Sequence, residues 1–157
     1  MARLSRQSYT RSTLKVAPEL LGHFLVRQGT RNKEPVTKRK TIITEVEAYV
    51  GEADPACHAA RGLTERNRVM YGRAGHAYVY FIYGRYFCLN VVTERTGFPA
   101  AVLVRGGEPM KPKIKDGRRA QPSCQKSKIF YRPLDGPGKL CRELRITTEL
   151  NGTDLVL

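Results

Sequence analysis

The chain has 157 residues, 41% of them hydrophobic, which suits one domain with one modest core. Its 28 lysines and arginines against 14 acidic residues leave a net charge of +14, which points to a polyanionic partner, most simply nucleic acid. No apolar run reaches the about 18 residues a membrane helix needs, and no apolar stretch follows the basic start, so neither a membrane span nor secretion is expected and an intracellular setting is.

In chain order, residues 1–12 are polar and basic and read as a mobile N-terminus. Residues 16–22 read as a short helix with Pro18 near its start and Gly22 at its end. A strand over 23–27 follows, then a charged loop over 28–38, then a second strand over 39–50 ended by Gly51. Asp54-Pro55 reads as a helix start, with Asp as N-cap and Pro in the first turn, carrying Cys57 and His58. Residues 62–75 are loop or short helix. Residues 77–82 and 86–92 are strand-like and flank Tyr83-Gly84-Arg85, a tight connection that predicts a β-hairpin. Another strand covers 100–105. Residues 108–133 have almost no apolar content and many lysines, which predicts a mobile basic loop. A helical pattern runs over 139–144. Residues 13–157 are therefore expected to form one α+β domain, a curved antiparallel sheet or open barrel flanked by short helices.

Charge is unevenly placed. Residues 1–40 and 105–145 each carry a net +8, residues 41–104 are neutral overall, and the last twelve residues carry −2. The acidic groups thus concentrate in a central block between basic arms. The four cysteines, Cys57, Cys88, Cys124 and Cys141, form no C-x-x-C pair and read as free structural thiols. His23, His58 and His76 lack metal-ligand spacing, so no metal is expected.

The central block carries the chemistry. Strict alternation along 42–50 would turn Ile42, Thr44, Val46, Ala48 and Val50 inward and put Ile43, Glu45, Glu47 and Tyr49 on the opposite face. Two carboxylates and a phenol would then share one face. Residues 77–90 hold four of the chain's eight tyrosines, more hydroxyls than a core prefers, and clustered tyrosines in a basic protein suit stacking on nucleobases. Tyr83, at the predicted hairpin tip, is out of place for a core residue.

Several ordered blocks resemble the alkyladenine (3-methyladenine) DNA glycosylase family. They are Glu45-Val46-Glu47-Ala48-Tyr49-Val50-Gly51, then Asp54 and His58, Arg66-Asn67-Arg68, Tyr78-Val79-Tyr80, Tyr83-Gly84-Arg85-Tyr86-Phe87-Cys88-Leu89-Asn90, Val104-Arg105-Gly106-Gly107-Glu108-Pro109 and Gly136-Pro137-Gly138-Lys139-Leu140-Cys141. The resemblance runs from about residue 14 to the C-terminus. It implies Glu47 as the base that activates water and Arg105 as an arginine beside that water. It implies Tyr49, His58 and Tyr80 around a flipped base, and Asn90 crowding the exocyclic amino group of guanine. Tyr83 would enter the gap the base leaves, and the hairpin would insert into DNA. Thr64, Arg66, Arg68 and Arg85 would contact the DNA backbone. Arg85 departs from the family, where that position is usually apolar. Family members also continue well beyond the 136–141 block, so a shortened member is implied.

The implied activity is excision of alkylated or deaminated purines from double-stranded DNA by a monomeric, monofunctional enzyme with no metal or organic cofactor and no membrane partner. Two other readings share the basic arms and tyrosines: a homologue that binds damaged DNA without excising the base, and a basic RNA-binding module.

Overall fold

The computed structural model describes residues 3–28, 39–110 and 133–156. Strand β2 (Arg39–Val50) is the longest element, twelve residues rich in the β-branched side chains that suit a pleated sheet. It pairs antiparallel with β1 (Phe24–Arg27) on one side and β5 (Ala100–Pro109) on the other. The other edge of β5 is shared: β4 (Tyr86–Val92) takes residues 101–103, and the short β6 (Leu134–Asp135) takes Gly106 and Gly107. β3 (Ala77–Ile82) completes a hairpin with β4. The result is an open six-stranded antiparallel sheet in the order β1-β2-β5-β4-β3, with β6 off the path. Three short helices join it: α1 (Arg6–Tyr9), α2 (Thr13–Leu20) and α3 (Pro137–Leu144). The expected α+β class holds.

The sheet buries both faces, and they differ. On one, Val79, Leu89, Val91, Val102 and Val104 pack against Val16 and Leu20 of α2 and Leu140 and Leu144 of α3. On the other, Tyr78, Tyr80, Cys88 and Leu103 pack against Cys57, Ala59 and Met70 from the connection between β2 and β3. Each fully buried Leu or Val contributes roughly 1.5–3 kcal/mol over its exposed state. The helix-covered face is therefore the main source of stability, and the phenol-rich face is left to carry a site.

The β2–β5 ladder contains two slips. Pairing runs Ile43↔Gly107, then Glu45↔Gly106, then Val46↔Val104. Thr44 is thus an extra residue in β2 and Arg105 an extra residue in β5, and the shifts cancel. This corrects the strict alternation expected for 42–50. Thr41 and Ile43 are buried, Thr44 is exposed, and Val46 and Ala48 join the same core beyond the slip. The expected face for Glu45, Glu47 and Tyr49 survives because the break precedes them. Gly107 permits the close approach here, since a Cβ on it would overlap the Thr41 methyl group.

Other boundaries moved for local reasons. Helix α2 begins at Thr13, not Val16, because the Thr13 N–H and hydroxyl bind Glu94 Oε1 at 2.9 and 2.8 Å. A carboxylate at a helix N-terminus satisfies an orphan donor and the helix dipole. Pro18 therefore lies in the last turn. Asp54-Pro55 starts no helix. Asp54 Oδ1 accepts the Ala56 N–H at 2.9 Å and Oδ2 accepts the Val50 N–H at 3.2 Å, which fastens a turn instead. Within the segment read as a mobile N-terminus, residues 6–9 are helical, Tyr9 is buried, and Arg6 forms an ion pair with Asp154. β5 runs on to Pro109, past the expected end at 105. Residues 29–38 of the charged loop, 111–132 of the basic loop, and Cys124 lie outside the described residues.

Candidate active site

Four strands and one connection assemble the site on the phenol-rich face. In β2, Glu47 and Tyr49 are two residues apart and share a side. In β3, Tyr78 and Tyr80 do the same, and the hairpin register sets Asn90 opposite Tyr78. The turns after β2 bring His58 over them. Tyr49, His58, Tyr78, Tyr80 and Asn90, with Ala56 and Met70, line one cavity. The His58 and Tyr80 rings meet edge-on with centroids 4.4 Å apart. Tyr78 and Tyr80 lie tilted at 5.4 Å. The tilted pair falls in the range that aromatic pairs prefer, and the edge-on pair sits at its near limit.

The polar groups of the cavity are mutually satisfied. Tyr78 Oη and His58 Nδ1 share a hydrogen bond of 2.9 Å. Burial pushes the Tyr78 phenol up to about 12, so it is protonated at neutral pH. Burial, and then the positive charge of Arg66, hold His58 below the ordinary imidazole range, so its neutral form dominates. Asn90 is 2% exposed and donates through Nδ2 to the Tyr78 carbonyl at 3.2 Å.

At the edge of the cavity stands the carboxylate of Glu47. It accepts the Tyr49 hydroxyl at 2.6 Å and Arg105 Nη1 at 2.6 Å. Arg105 also donates through Nε to Glu45 at 2.9 Å. The slip in β5 places this arginine between both carboxylates. Burial, then the Glu47 carboxylate, raises the Tyr49 phenol far above its ordinary range, which fixes it as donor. The Glu47 side chain is 37% exposed, so water reaches it. A carboxylate that accepts one hydrogen bond on each oxygen, keeps lone pairs free and is open to solvent can take a proton from water, or face a developing positive charge.

The hairpin projects beyond the site. Tyr83 and Gly84 have φ of 53° and 65°, and the Arg85 N–H donates to the Ile82 carbonyl at 3.2 Å. Two central residues at positive φ are the mark of a type I′ turn. Tyr83 is 83% exposed, a bulky side chain held out to solvent in a backbone conformation such residues avoid. Phe81 and Tyr86 are also exposed nearby.

The structure brings Glu47, Tyr49, His58, Tyr80, Asn90 and Arg105 together and sets Tyr83 apart at the tip. The four residues expected on the DNA backbone are placed differently from one another. Thr64 is tied to Asn67. Arg68 pairs with Glu65 at 3.1 Å. Arg85 lies over the Tyr86 ring at 5.3 Å. Arg66 donates to the Phe81 carbonyl at 3.1 Å and lies over the Tyr80 ring at 5.4 Å.

Sequence reading gave no role to three residues the structure makes central. Tyr78, although counted in the tyrosine cluster, is the partner of His58, and its two-residue spacing from Tyr80 already put it on that face. Glu45 shares Arg105 with Glu47. Asn67 is 1% exposed, and its side chain donates to the carbonyls of His58 and Gly62 and accepts the Thr64 N–H. It holds the turns that carry His58, and nothing in the local pattern marks it. Among the described residues, no cluster of three or more His, Cys, Asp or Glu is placed to hold a metal ion. No helix among them is long and apolar enough to cross a membrane.

Fold and site define a class: an antiparallel α+β domain with a carboxylate–arginine pair at the mouth of an aromatic-walled slot. Comparisons with known proteins narrow it. Residues 7–157 match the family described as Methylpurine-DNA glycosylase (MPG). A protein of Methanocella arvoryzae, provisionally named a 3-methyladenine DNA glycosylase, is 50% identical over 153 residues, covering 97% of this chain and 72% of its own length. Proteins with the same provisional name from Sodalis glossinidius and Rickettsia prowazekii are 48% and 44% identical, covering 97% and 98% of this chain and 74% and 77% of their own lengths. The chain belongs to the methylpurine-DNA glycosylase family, whose business is DNA repair by base excision.

Proposed function

We propose that the protein extrudes damaged purines from double-stranded DNA and hydrolyses their glycosidic bond, leaving an abasic site. The observation that carries this reading is the Glu47 carboxylate, held at 2.6 Å by the hydroxyl of a cavity-lining tyrosine, Tyr49. A base inside a duplex hides its glycosidic bond, so the nucleotide must leave the stack at a cost of a few kcal/mol. Tyr83, exposed at the hairpin tip, offsets this by filling the vacated space. Tyr49, His58 and Tyr80 receive the base, where one aromatic stacking contact is worth roughly 1–3 kcal/mol. Asn90 stands where an exocyclic amino group would press.

Bond cleavage puts positive charge on the sugar. Glu47 stabilises that charge and takes a proton from the attacking water. Arg105 orients the carboxylate and would steady the water beside it. Among the described residues no lysine lines the cavity, and the reading predicts no covalent intermediate and no strand cleavage. Thr64, Arg66, Arg68 and Arg85 would contact the DNA backbone, and the excess of basic residues makes binding salt-dependent. The substrates are 3-methyladenine, hypoxanthine and ethenoadenine type lesions, met by a monomer.

The test is incubation with a hypoxanthine-containing duplex, followed by alkali. Strand scission at the lesion only after alkali is expected. Lesion binding without scission would replace the reading with that of a damage-binding protein.

A further inference from the structure

We propose that Arg66 sets the balance between cationic and neutral lesions, acting through the Tyr80 ring and not through contact with the base. The inference rests on the base-excising reading above and adds the substrate class its cavity favours.

Tyrosine rings attract cations through the negative quadrupole of their faces. A cavity walled by Tyr49, Tyr78 and Tyr80 should therefore favour cationic purines such as 3-methyladenine over neutral ones such as hypoxanthine. Arg66 works against that preference. Its guanidinium carbon lies 5.4 Å from the Tyr80 centroid, so a cation already occupies the quadrupole of one wall. Its Nη2 donates to the Phe81 carbonyl at 3.1 Å, which anchors the head group to the strand that carries Tyr80. The anchoring separates Arg66 from Arg68 and Arg85, which reach no cavity residue: Arg68 pairs with Glu65, and Arg85 covers Tyr86.

The charge is felt throughout the cavity. Burial dominates each group, lowering His58 and raising the Tyr78 phenol and the Cys88 thiol; the Arg66 charge adds to the first and opposes the other two, in the direction of weaker proton binding at all three. His58 and Tyr78 line the cavity, and Cys88 packs with Tyr78 and Tyr80 behind it. A purine cation stacked among them meets the same field, whereas a neutral purine meets only a weaker charge–dipole interaction.

The experiment compares wild type, Arg66→Gln and Arg66→Lys in single-turnover excision. Each is titrated on otherwise identical duplexes holding 7-methylguanine or hypoxanthine. General loss of DNA affinity affects both duplexes equally, and the crowding of the guanine amino group by Asn90 is the same in every variant, so the readout is the ratio of their half-saturating concentrations compared between variants. Arg66→Gln is expected to shift that ratio toward 7-methylguanine by roughly two- to five-fold, the scale of one exposed cation–π contact. Arg66→Lys keeps the charge and is expected to hold the wild-type ratio. An unchanged ratio in Arg66→Gln, or an equal shift in both variants, would overturn the proposal while the excision reading stands. Release of neither base by the wild type would overturn both together.

Discussion

Tyr49 lies two residues beyond Glu47 on one strand face, and its hydroxyl closes back on the carboxylate at 2.6 Å. The wall of the slot and the group proposed to activate water are thus one hydrogen-bonded unit. Glu47→Gln keeps the size and the acceptor oxygen but removes the charge. We expect it to bind a lesion duplex as wild type does and to release base at least about 100-fold more slowly, the low end of general-base contributions. Tyr49→Phe removes only the hydroxyl, so its loss should be smaller. Single-turnover abasic-site formation measures both, and a Glu47→Gln variant of wild-type rate would end the assignment.

Tyr83 predicts a conflict between stability and function. Its φ of 53° suits Asn or Gly, and its side chain buries almost nothing. Strain of this kind costs of order 1–3 kcal/mol. Tyr83→Asn should therefore raise unfolding stability by about 1 kcal/mol while weakening capture of a lesion from a fully paired duplex. Denaturant unfolding followed by circular dichroism checks the first part. Excision from paired against single-stranded substrate checks the second, where the single strand should restore much of the loss.

Asn67→Ala leaves two backbone carbonyls and one N–H without their partner. Each unsatisfied buried group costs about 1–3 kcal/mol. A drop of at least about 2 kcal/mol in unfolding free energy is expected, with base release falling as well because the turns lose their hold on His58. A variant as stable as wild type would show that water or a rearranged loop replaces the amide.

The pH dependence of stability follows from His58. Its folded-state affinity for protons is depressed, first by burial and then by Arg66. The unfolded chain therefore takes up the proton first as pH falls. The stability tied to the neutral ring is complete above its ordinary value of 6.5 and declines as the pH drops through it. Asp154 is depressed by the Val156 N–H, then by Arg6, and its contribution is lost only below its ordinary value of 3.8. The two windows are separate. His58→Asn should flatten the fall in melting temperature between about pH 7 and 5.5 and leave the more acid limb alone.

Much of this was legible in the chain, and the misses have causes. The hairpin bounds at 77–82 and 86–92 match because β-branched and aromatic runs flank a turn that one Gly completes. Glu47 and Tyr49 share one strand face as expected because period-two alternation is local. What failed depended on distant partners. The start of α2 is set by Glu94, 81 positions away from Thr13 in the chain. The helix expected at Asp54 stopped at a turn, although its capping carboxylate behaves as predicted. The inward set of β2 was wrong at Ile42, Ile43 and Thr44 because no pattern within one strand announces a slip that its neighbour completes.

The paired slips at Thr44 and Arg105 make the geometry of the site sensitive to length as well as composition. Deleting Thr44 alone would leave β2 strictly alternating, with Glu47 and Tyr49 still opposite Thr41, Ile43, Val46 and Ala48, but the extra residue of β5 would lose its counterpart and one limb of the ladder would shift by a residue against the other, moving Arg105 relative to the two carboxylates. Losing Thr44 and Arg105 together would restore a regular ladder but remove the guanidinium between the carboxylates. Indels here are therefore expected to be purged during evolution far more strictly than substitutions at the same two positions.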